Sequence, residues 1–299
     1  MKISVSSYCY KQYISAGKMT QFDCVAKAHE MGFEAIEFTT LVPNHDLSPK
    51  EQVFEEQVEL SKKIKAEADK YGMVINCYAV GSHMSHPTDD EDDAEFEHLK
   101  KQIQIAHILG AKVMRHDAIA NQPMRHRSFD LSLPYIAKNF RRVAEYAQTL
   151  GIKTCFENHG RICQDSDRCE KLYNAIDHDN FGLLVDFGNF LGVDENPLTA
   201  VSRLAPYAIH AHAKDRVIID GSKTKPEGTS VTRGGNFQYF TAIGDGVVPT
   251  KQCLRALKNV GYDGYITIEY DRGREDCISA IARSFDNLKN YINEVENEQ

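Results

Sequence analysis

The amino-acid sequence predicts one (β/α)₈ TIM barrel of the α/β class spanning residues 1–299, and two observations support this prediction. The first is a recurring junction in which a helical pattern ends at a glycine and a short β-rich run follows. The second is a set of eight short, mostly apolar runs, as expected of parallel strands that are covered on both faces. Eight strand–helix units in fewer than 300 residues are typical of a closed barrel.

The helix-to-strand junction occurs five times, in MGFEAIEF, YGMVINCY, LGAKVMRH, LGIKTCFEN and VGYDGYITIEY. Glycine is the usual residue just past a helix end because it adopts a positive φ without strain. The runs ISVSS, GLLVDF and AIHAHA add three strands without such a junction. The predicted strands therefore begin near residues 3, 35, 74, 112, 153, 182, 208 and 265.

Helical patterns lie between these strands, near 20–31, 51–71, 93–109, 131–150, 166–177, 197–205, 250–260 and 276–294. A doubly wound open sheet is the alternative architecture. It normally has a glycine-rich phosphate-binding turn after the first strand, and SSYCYKQY at that place has no glycine. The long interval 214–249 after strand seven is rich in glycine and polar residues, and we expect it to be a functional loop that acts as a lid.

Composition and charge indicate which classes of partner and which cellular compartment to expect. The net charge of −8 argues against a nucleic-acid partner, which needs a basic surface. No run approaches about 18 apolar residues, so we expect no membrane-spanning helix. The eight cysteines form no C-x-x-C pair and are interpreted as buried packing, and the first residues lack the apolar run of a secretion signal. A cytoplasmic enzyme with a small-molecule substrate is the simplest interpretation, with a homo-oligomer left open.

Metal-capable residues occur at the ends of the last four predicted strands, namely Glu157, Asp186, His212 and Glu269. Strand ends meet at the C-terminal face of a barrel, where the chemistry of such folds is located. Three carboxylates this close repel one another unless a cation compensates them. Taken singly, each residue has an ordinary structural role as an ion-pair or core hydrogen-bonding partner. Together they predict one divalent metal ion: Mn²⁺, Mg²⁺ or Co²⁺, with Zn²⁺ also compatible.

Other polar residues are predicted at the same face of the barrel. His116 at the end of strand four, His159 after Glu157, and Lys214 after His212 are candidates for substrate contact. Structural ion pairs are the simpler interpretation of Arg115 and Arg272. His210 shares a face with His212 but lies deeper in the barrel, so we expect it to pack or to support the metal ligands.

Four of these segments, FENHG, LLVDFGNF, HAHAKD and GYDGYITIEYD, resemble the sugar phosphate isomerase/epimerase family of xylose isomerase-like barrels. The resemblance spans essentially the whole chain. It implies the same four residues as metal ligands and, by comparison with ketose epimerases, Glu157 and Glu269 as the groups that exchange the substrate proton. The ketose epimerases have a histidine three residues after the metal-binding aspartate, and this chain has Asn189 there. The resemblance therefore implies the superfamily rather than one reaction.

The leading functional hypothesis is a metal-dependent isomerase or epimerase of a sugar, polyol or related hydroxy-ketone. The catalytic glutamates, Glu157 and Glu269, would remove and return a proton α to a metal-bound carbonyl. A lyase or dehydratase, of the inosose or dehydroshikimate dehydratase kind, begins with the same enolate and is the first alternative. An apurinic-site endonuclease is disfavoured by the negative charge. A non-catalytic sugar-binding barrel is the last alternative.

Overall fold

The computed structural model describes residues 1–119, 123–271 and 273–298. Eleven strands occur in this part of the chain. In order they are β1 Lys2–Ser6, β2 Ala35–Thr39, β3 Val74–Val80, β4 Val113–His116, β5 Lys153–Glu157, β6 Phe181–Asp186, β7 Ala208–Ala213, β8 Asp215–Ile219, β9 Ser230–Val231, β10 Phe237–Thr241 and β11 Tyr265–Ile268. Eight of them close into a parallel barrel in the order β1-β11-β7-β6-β5-β4-β3-β2, which confirms the predicted fold class.

The α-helices of the described residues surround this barrel. They are α1 Lys11–Ser15, α2 Asp23–Glu30, α3 Phe54–Lys70, α4 Asp89–Leu109, α5 Phe129–Thr149, α6 Ser166–Ile176, α7 Pro197–Leu204, α8 Thr250–Asn259 and α9 Cys277–Asn297. None of these helices has the length and apolar character needed to cross a membrane. The eight cysteines are all buried, in agreement with the packing role predicted for them.

The local sequence signals predicted the boundaries of most helices and strands to within about four residues of those observed. All five junction glycines adopt a positive φ, from 64° at Gly72 to 88° at Gly32. Helix α4 begins earlier than the hydrophobic pattern indicated, because Thr88 caps it and exchanges hydrogen bonds with Glu91 in a capping box. The acidic residues of its first turn are favourably placed at the positive end of the helix dipole. The short helix α1 was not predicted.

The segment 214–249 is more ordered than a plain loop. Strands β8, β10 and β9 form a small antiparallel sheet, in that order, which we call the small sheet. The buried carboxylate of Asp215 accepts hydrogen bonds from the backbone N–H groups of Gly244, Gly246 and Val248, at 2.9 to 3.1 Å. Asp194 accepts hydrogen bonds from Thr232, Gly234 and Asn236 on the other side of the segment. The Asp215 contacts join the two ends of the segment 214–249, and Asp194, which follows β6, holds its middle part. The mobility of the segment as a lid stays a prediction.

We expect Asp215→Asn to loosen the small sheet. The amide would replace one acceptor oxygen with an NH₂ group, which cannot accept the backbone N–H groups that this oxygen serves. A buried donor left without a partner costs about 1–3 kcal/mol, so the free energy of unfolding should fall by that amount. Protease cleavage within residues 220–236 should also become faster. Asp220→Asn, on the exposed turn of the same segment, is the matched control. Equal melting temperatures and cleavage rates for both variants would contradict the anchoring role.

Candidate metal centre

The four predicted ligands come together at the C-terminal face of the barrel. Glu157 ends β5, Asp186 ends β6, His212 lies in β7, and Glu269 follows β11. One ligand atom from each lies within 4.8 Å of all the others. Nδ1 of His212 is 3.1 Å from a Glu269 oxygen, 3.8 Å from an Asp186 oxygen and 3.9 Å from a Glu157 oxygen. The sequence-predicted cluster therefore exists as a compact set of three carboxylates and one imidazole.

Asp186 is oriented by its own chain. Its Oδ1 accepts hydrogen bonds from the backbone N–H groups of Gly188 and Asn189, both at 2.8 Å. Its Oδ2 is buried and has no hydrogen-bond partner, although the Lys214 ammonium lies 3.3 Å away. Burial, together with the charges of Glu157 and Glu269, raises the pKa of Asp186 above its ordinary value. A buried carboxylate oxygen of this kind is expected where a cation binds.

His212 is oriented by a carboxylate on the opposite side of the barrel. Its Nε2 lies 2.9 Å from Oε2 of Glu37 in β2, and His210 approaches the same oxygen at 3.0 Å. Although burial raises the pKa of Glu37, the nearby His212 and His210 lower it well below its usual range. The ionised carboxylate accepts Nε2–H and leaves Nδ1 of His212 directed at the other three ligands. This arrangement is typical of a metal-binding histidine, and it assigns His210 the supporting role that was expected of it.

The donor set therefore fits a divalent cation. Its carboxylate oxygens and single imidazole match the ligands that Mn²⁺, Mg²⁺ and Co²⁺ accept. A second group, Glu37 with His210 and His212, is also compact, but hydrogen bonds already join its members to one another. The cluster of Glu157, Asp186, His212 and Glu269 is the one with an unsatisfied buried oxygen.

Two cations flank the cluster. Nζ of Lys214 is buried 2.6 Å from a Glu269 oxygen, and an Arg115 guanidinium nitrogen lies 2.5 Å from Glu157 and 2.7 Å from Asp117. Burial opposes charge on both glutamates. Arg115 nevertheless holds the pKa of Glu157 below its usual value, and Lys214 with His212 holds that of Glu269 well below it. Both predicted catalytic carboxylates are therefore ionised, and Arg115 forms the structural ion pair expected of it.

The three predicted substrate contacts have different positions. Lys214 and His159 line a pocket of about 220 Å³ directly above the cluster. His159 is half-exposed, with Nδ1 3.3 Å from Asp117. Partial desolvation by the surrounding protein lowers the pKa of His159, but the nearby negative charge of Asp117 raises it above its usual value. Lys214 likewise has a raised pKa, because Asp186 and Glu269 outweigh the effect of burial.

His116 does not reach this pocket, so the structure corrects the prediction that it contacts substrate. Its ring is fully buried and stacks on Phe140 with a centroid distance of 4.5 Å, and burial lowers its pKa to about 3. Successive side chains of a strand point to opposite faces. Arg115 therefore faces the barrel axis, and His116 faces the surrounding helix α5. Arg272 lies outside the described residues.

Asn189 and Arg216 are linked to the cluster by hydrogen bonds, although neither was predicted from the sequence as a site residue. The Asn189 amide donates a hydrogen bond to Glu157 at 2.6 Å, and the Arg216 guanidinium donates to the Asn189 oxygen. Asn189 thus holds a predicted catalytic carboxylate at the position where ketose epimerases have histidine. Its spacing of three residues from Asp186 was the only sequence signal for this role.

Residues 25–291 match the family model of the xylose isomerase-like TIM barrel. The chain belongs to this family. A curated relative, inosose dehydratase from Lacticaseibacillus casei, is 28% identical over 138 residues, or 46% of each chain. The match thus spans about half the length of that relative.

Two solved structures share the fold along nearly the full chain. D-psicose 3-epimerase from Clostridium cellulolyticum H10, solved with D-tagatose, is 14% identical with a TM-score of 0.73, covering 98% of this chain and 99% of its own. A xylose isomerase-like protein from Mycobacterium smegmatis, solved in complex with magnesium, is 18% identical with a TM-score of 0.67, covering 92% of this chain and 88% of its own. At these identities the likeness establishes the barrel architecture.

We expect Glu37→Gln to lower the affinity for Mn²⁺ by about 10–100-fold, the usual effect of losing the partner that orients a ligand histidine. The amide lacks the negative charge that favours Nε2–H on His212. Calorimetric titration with Mn²⁺ measures this affinity. Glu34→Gln, an exposed position just before the same strand, is the matched control. An unchanged affinity in Glu37→Gln would show that Glu37 does not orient the histidine.

Proposed function

We propose that this protein is a divalent-metal-dependent isomerase or epimerase of a sugar, polyol or related hydroxy-ketone. The main support for the proposal is the four-residue cluster, in which one glutamate ends β5 and the other follows β11. Two other strands separate β5 from β11 in the barrel. A Mn²⁺, Mg²⁺ or Co²⁺ ion, or Zn²⁺, would supply Lewis-acid charge beside a substrate carbonyl and so acidify the α-proton. The magnesium in the Mycobacterium smegmatis relative supports an ion of this class.

The glutamates approach the pocket from different sides. Glu269 is the more exposed of the two, with 13% of its side chain accessible against 4% for Glu157, so we assign the first proton removal to Glu269. Both carboxylates are ionised in the free protein, as a general base must be. Glu157 is held in place by Arg115 and Asn189, which fixes its distance from a substrate in the pocket.

Returning the proton requires a group that carries one. Lys214 and His159 line the same pocket, and both have a raised pKa. Lys214 lies against Glu269, whereas His159 lies on the β5 side near Asp117. Groups that can donate a proton therefore lie on two sides of the pocket. If Glu269 instead returns its own proton to the neighbouring carbon, the outcome is isomerisation rather than epimerisation.

A dehydratase is the second candidate. The similarity to inosose dehydratase favours it, although that similarity covers about half of each chain. Loss of a β-hydroxyl group from the same carbanionic species needs a proton donor near the leaving oxygen. The Lys214 ammonium, 2.6 Å from the proposed base, is suited to that role.

Incubation of the Mn²⁺-loaded protein in D₂O with ketoses, aldoses and inososes, both as free compounds and within two-ring compounds that keep a free carbonyl, tests the proposal. We expect at least one compound to take up deuterium at the carbon α to its carbonyl and to yield an epimer or a ketose–aldose isomer. Mass spectrometry and proton NMR separate this result from a dehydrated, unsaturated product, which would support the second candidate. Turnover of none of these compounds, with no deuterium uptake, would contradict both.

A further inference from the structure

The pocket above the metal centre adjoins a second, larger cavity. The first has a volume of about 220 Å³, below the roughly 300–1,000 Å³ usual for ligand pockets, and the second about 590 Å³. The second cavity, which we call the vestibule, lies between residues 159–164 and 189–192 on the barrel side and residues 228–230 and 238–240 of the small-sheet segment. Both cavities share His159, Asn189, Arg216, Phe240 and Asp271 in their walls, so they form one bipartite site.

Arg216 lies at the junction of the two cavities. Its guanidinium donates to the side-chain oxygens of Gln238 and Asn189, and it stacks on Phe240 at 4.5 Å from the ring centroid. Its Nε is buried without a hydrogen-bond partner. Among residues 1–119, 123–271 and 273–298, no carboxylate lies within ion-pair distance of the Arg216 guanidinium. A buried arginine usually has such a partner. Neutral amide oxygens fix this guanidinium while leaving hydrogen-bonding capacity for a ligand.

The rest of the vestibule offers polar neutral groups and aromatic faces. Gln164, Gln238, Thr229 and Ser230 supply amides and hydroxyls, and Tyr239 adds an aromatic ring beside Phe240. Such groups suit a hydroxyl-rich ring, because amides and hydroxyls both donate and accept hydrogen bonds while aromatic rings cover its C–H face. Asp271 lies in the wall of both cavities.

The vestibule wall is held in place by contacts between its two sides. Arg161 donates to the backbone oxygen of Val231 at 2.6 Å, and the backbone N–H of Arg233 donates to Gly192 at 2.9 Å. A Cβ at position 192 would lie 2.8 Å from Nε2 of Gln164, so glycine there permits the close approach of that amide. A pre-formed wall lowers the entropic cost of ordering a ligand against it.

We propose that the vestibule binds a second, non-reacting sugar unit, so that the substrates of this enzyme are glycosides or other two-ring carbohydrates rather than free monosaccharides. Arg216 contacts the substrate where the two units join, and the reacting unit lies at the metal centre. The assignment of the reacting end rests on the proposed function. Binding of the second unit depends on the vestibule alone.

Calorimetric titration of the Mn²⁺-loaded full chain tests this proposal. The ligands are maltose, cellobiose, lactose and sucrose, their component monosaccharides, and glucose 6-phosphate. Ser230→Trp fills the vestibule from β9, and Tyr239→Ala removes an aromatic face. Ser222→Trp, on the exposed turn outside both cavities, is the matched control for the added indole. We expect at least one two-ring compound to bind about tenfold or more tightly than its component monosaccharides. Ser230→Trp should abolish that difference, Tyr239→Ala should reduce it, and Ser222→Trp should retain it.

Three results would overturn the proposal: equal affinity for one-ring and two-ring compounds, no binding of any two-ring compound, or an affinity difference that survives Ser230→Trp. Tighter binding of glucose 6-phosphate than of every two-ring compound would also overturn it, in favour of an oxyanion site. Deuterium uptake separates this inference from the proposed function. Uptake into a monosaccharide with the same kcat/KM in wild type and Ser230→Trp refutes the vestibule role alone. Binding of maltose, cellobiose or lactose, each of which has a free carbonyl, without any deuterium uptake refutes the proposed function alone.

Discussion

Replacing Asp186 with asparagine is expected to lower the affinity for Mn²⁺ by more than about 100-fold, beyond the usual effect of changing a residue that only orients a ligand. The substitution removes one of three negative charges, and it replaces a carboxylate whose buried Oδ2 has no hydrogen bond. The amide oxygen can still accept from Gly188 and Asn189, so the loop after β6 should keep its conformation. Calorimetric titration measures the affinity.

Asp179→Asn provides the comparison for that experiment. Asp179 is exposed just before the same strand, at the other end of the barrel. Circular dichroism should show both variants folded, and only Asp186→Asn should lose metal on dialysis. A wild-type Mn²⁺ affinity in folded Asp186→Asn would remove Asp186 from the ligand set.

The second large effect concerns the proton-transfer step. With a substrate identified from the panel, Glu269→Gln should slow deuterium uptake at the α-carbon by roughly 10²–10⁴, the usual contribution of a general base. The amide cannot accept the proton, although its oxygen can still contact a cation. The measurement is the initial rate of deuterium incorporation at saturating Mn²⁺, with the bound metal determined in the same sample.

Asp263→Asn, an exposed position just before β11, is the matched control for this substitution. If Glu269→Gln retains its metal and exchanges deuterium at the wild-type rate, Glu269 is only a ligand. Glu157, on the other side of the pocket, is then the base, and Glu157→Gln should show the loss instead.

Local signals were sufficient to predict the barrel. Each of the five junction glycines follows a helix and adopts a positive φ, and each barrel strand is marked by its own apolar run. The four metal-binding candidates could also be predicted from the sequence. A strand end is marked by local sequence, and the barrel brings all such ends to one face.

Properties that depend on distant neighbours were not predicted. The orientation of β4 places Arg115 inside and His116 outside, and a shift of one residue would exchange them. Glu37 orients His212 across 175 residues of sequence. The small sheet depends on Asp194 and Asp215, whose carboxylates accept hydrogen bonds from backbone N–H groups far along the chain. None of these pairings leaves a periodic pattern in the sequence.

Anomalous X-ray diffraction from crystals grown with Mn²⁺ tests the central claim most directly. We expect one strong manganese peak per chain, bonded to Glu157, Asp186, Nδ1 of His212 and Glu269, at distances of about 2.0–2.3 Å. The same peak should be absent from crystals of Asp186→Asn. A manganese peak bonded elsewhere, or none in wild-type crystals at saturating Mn²⁺, would contradict the metal centre and the chemistry proposed for it.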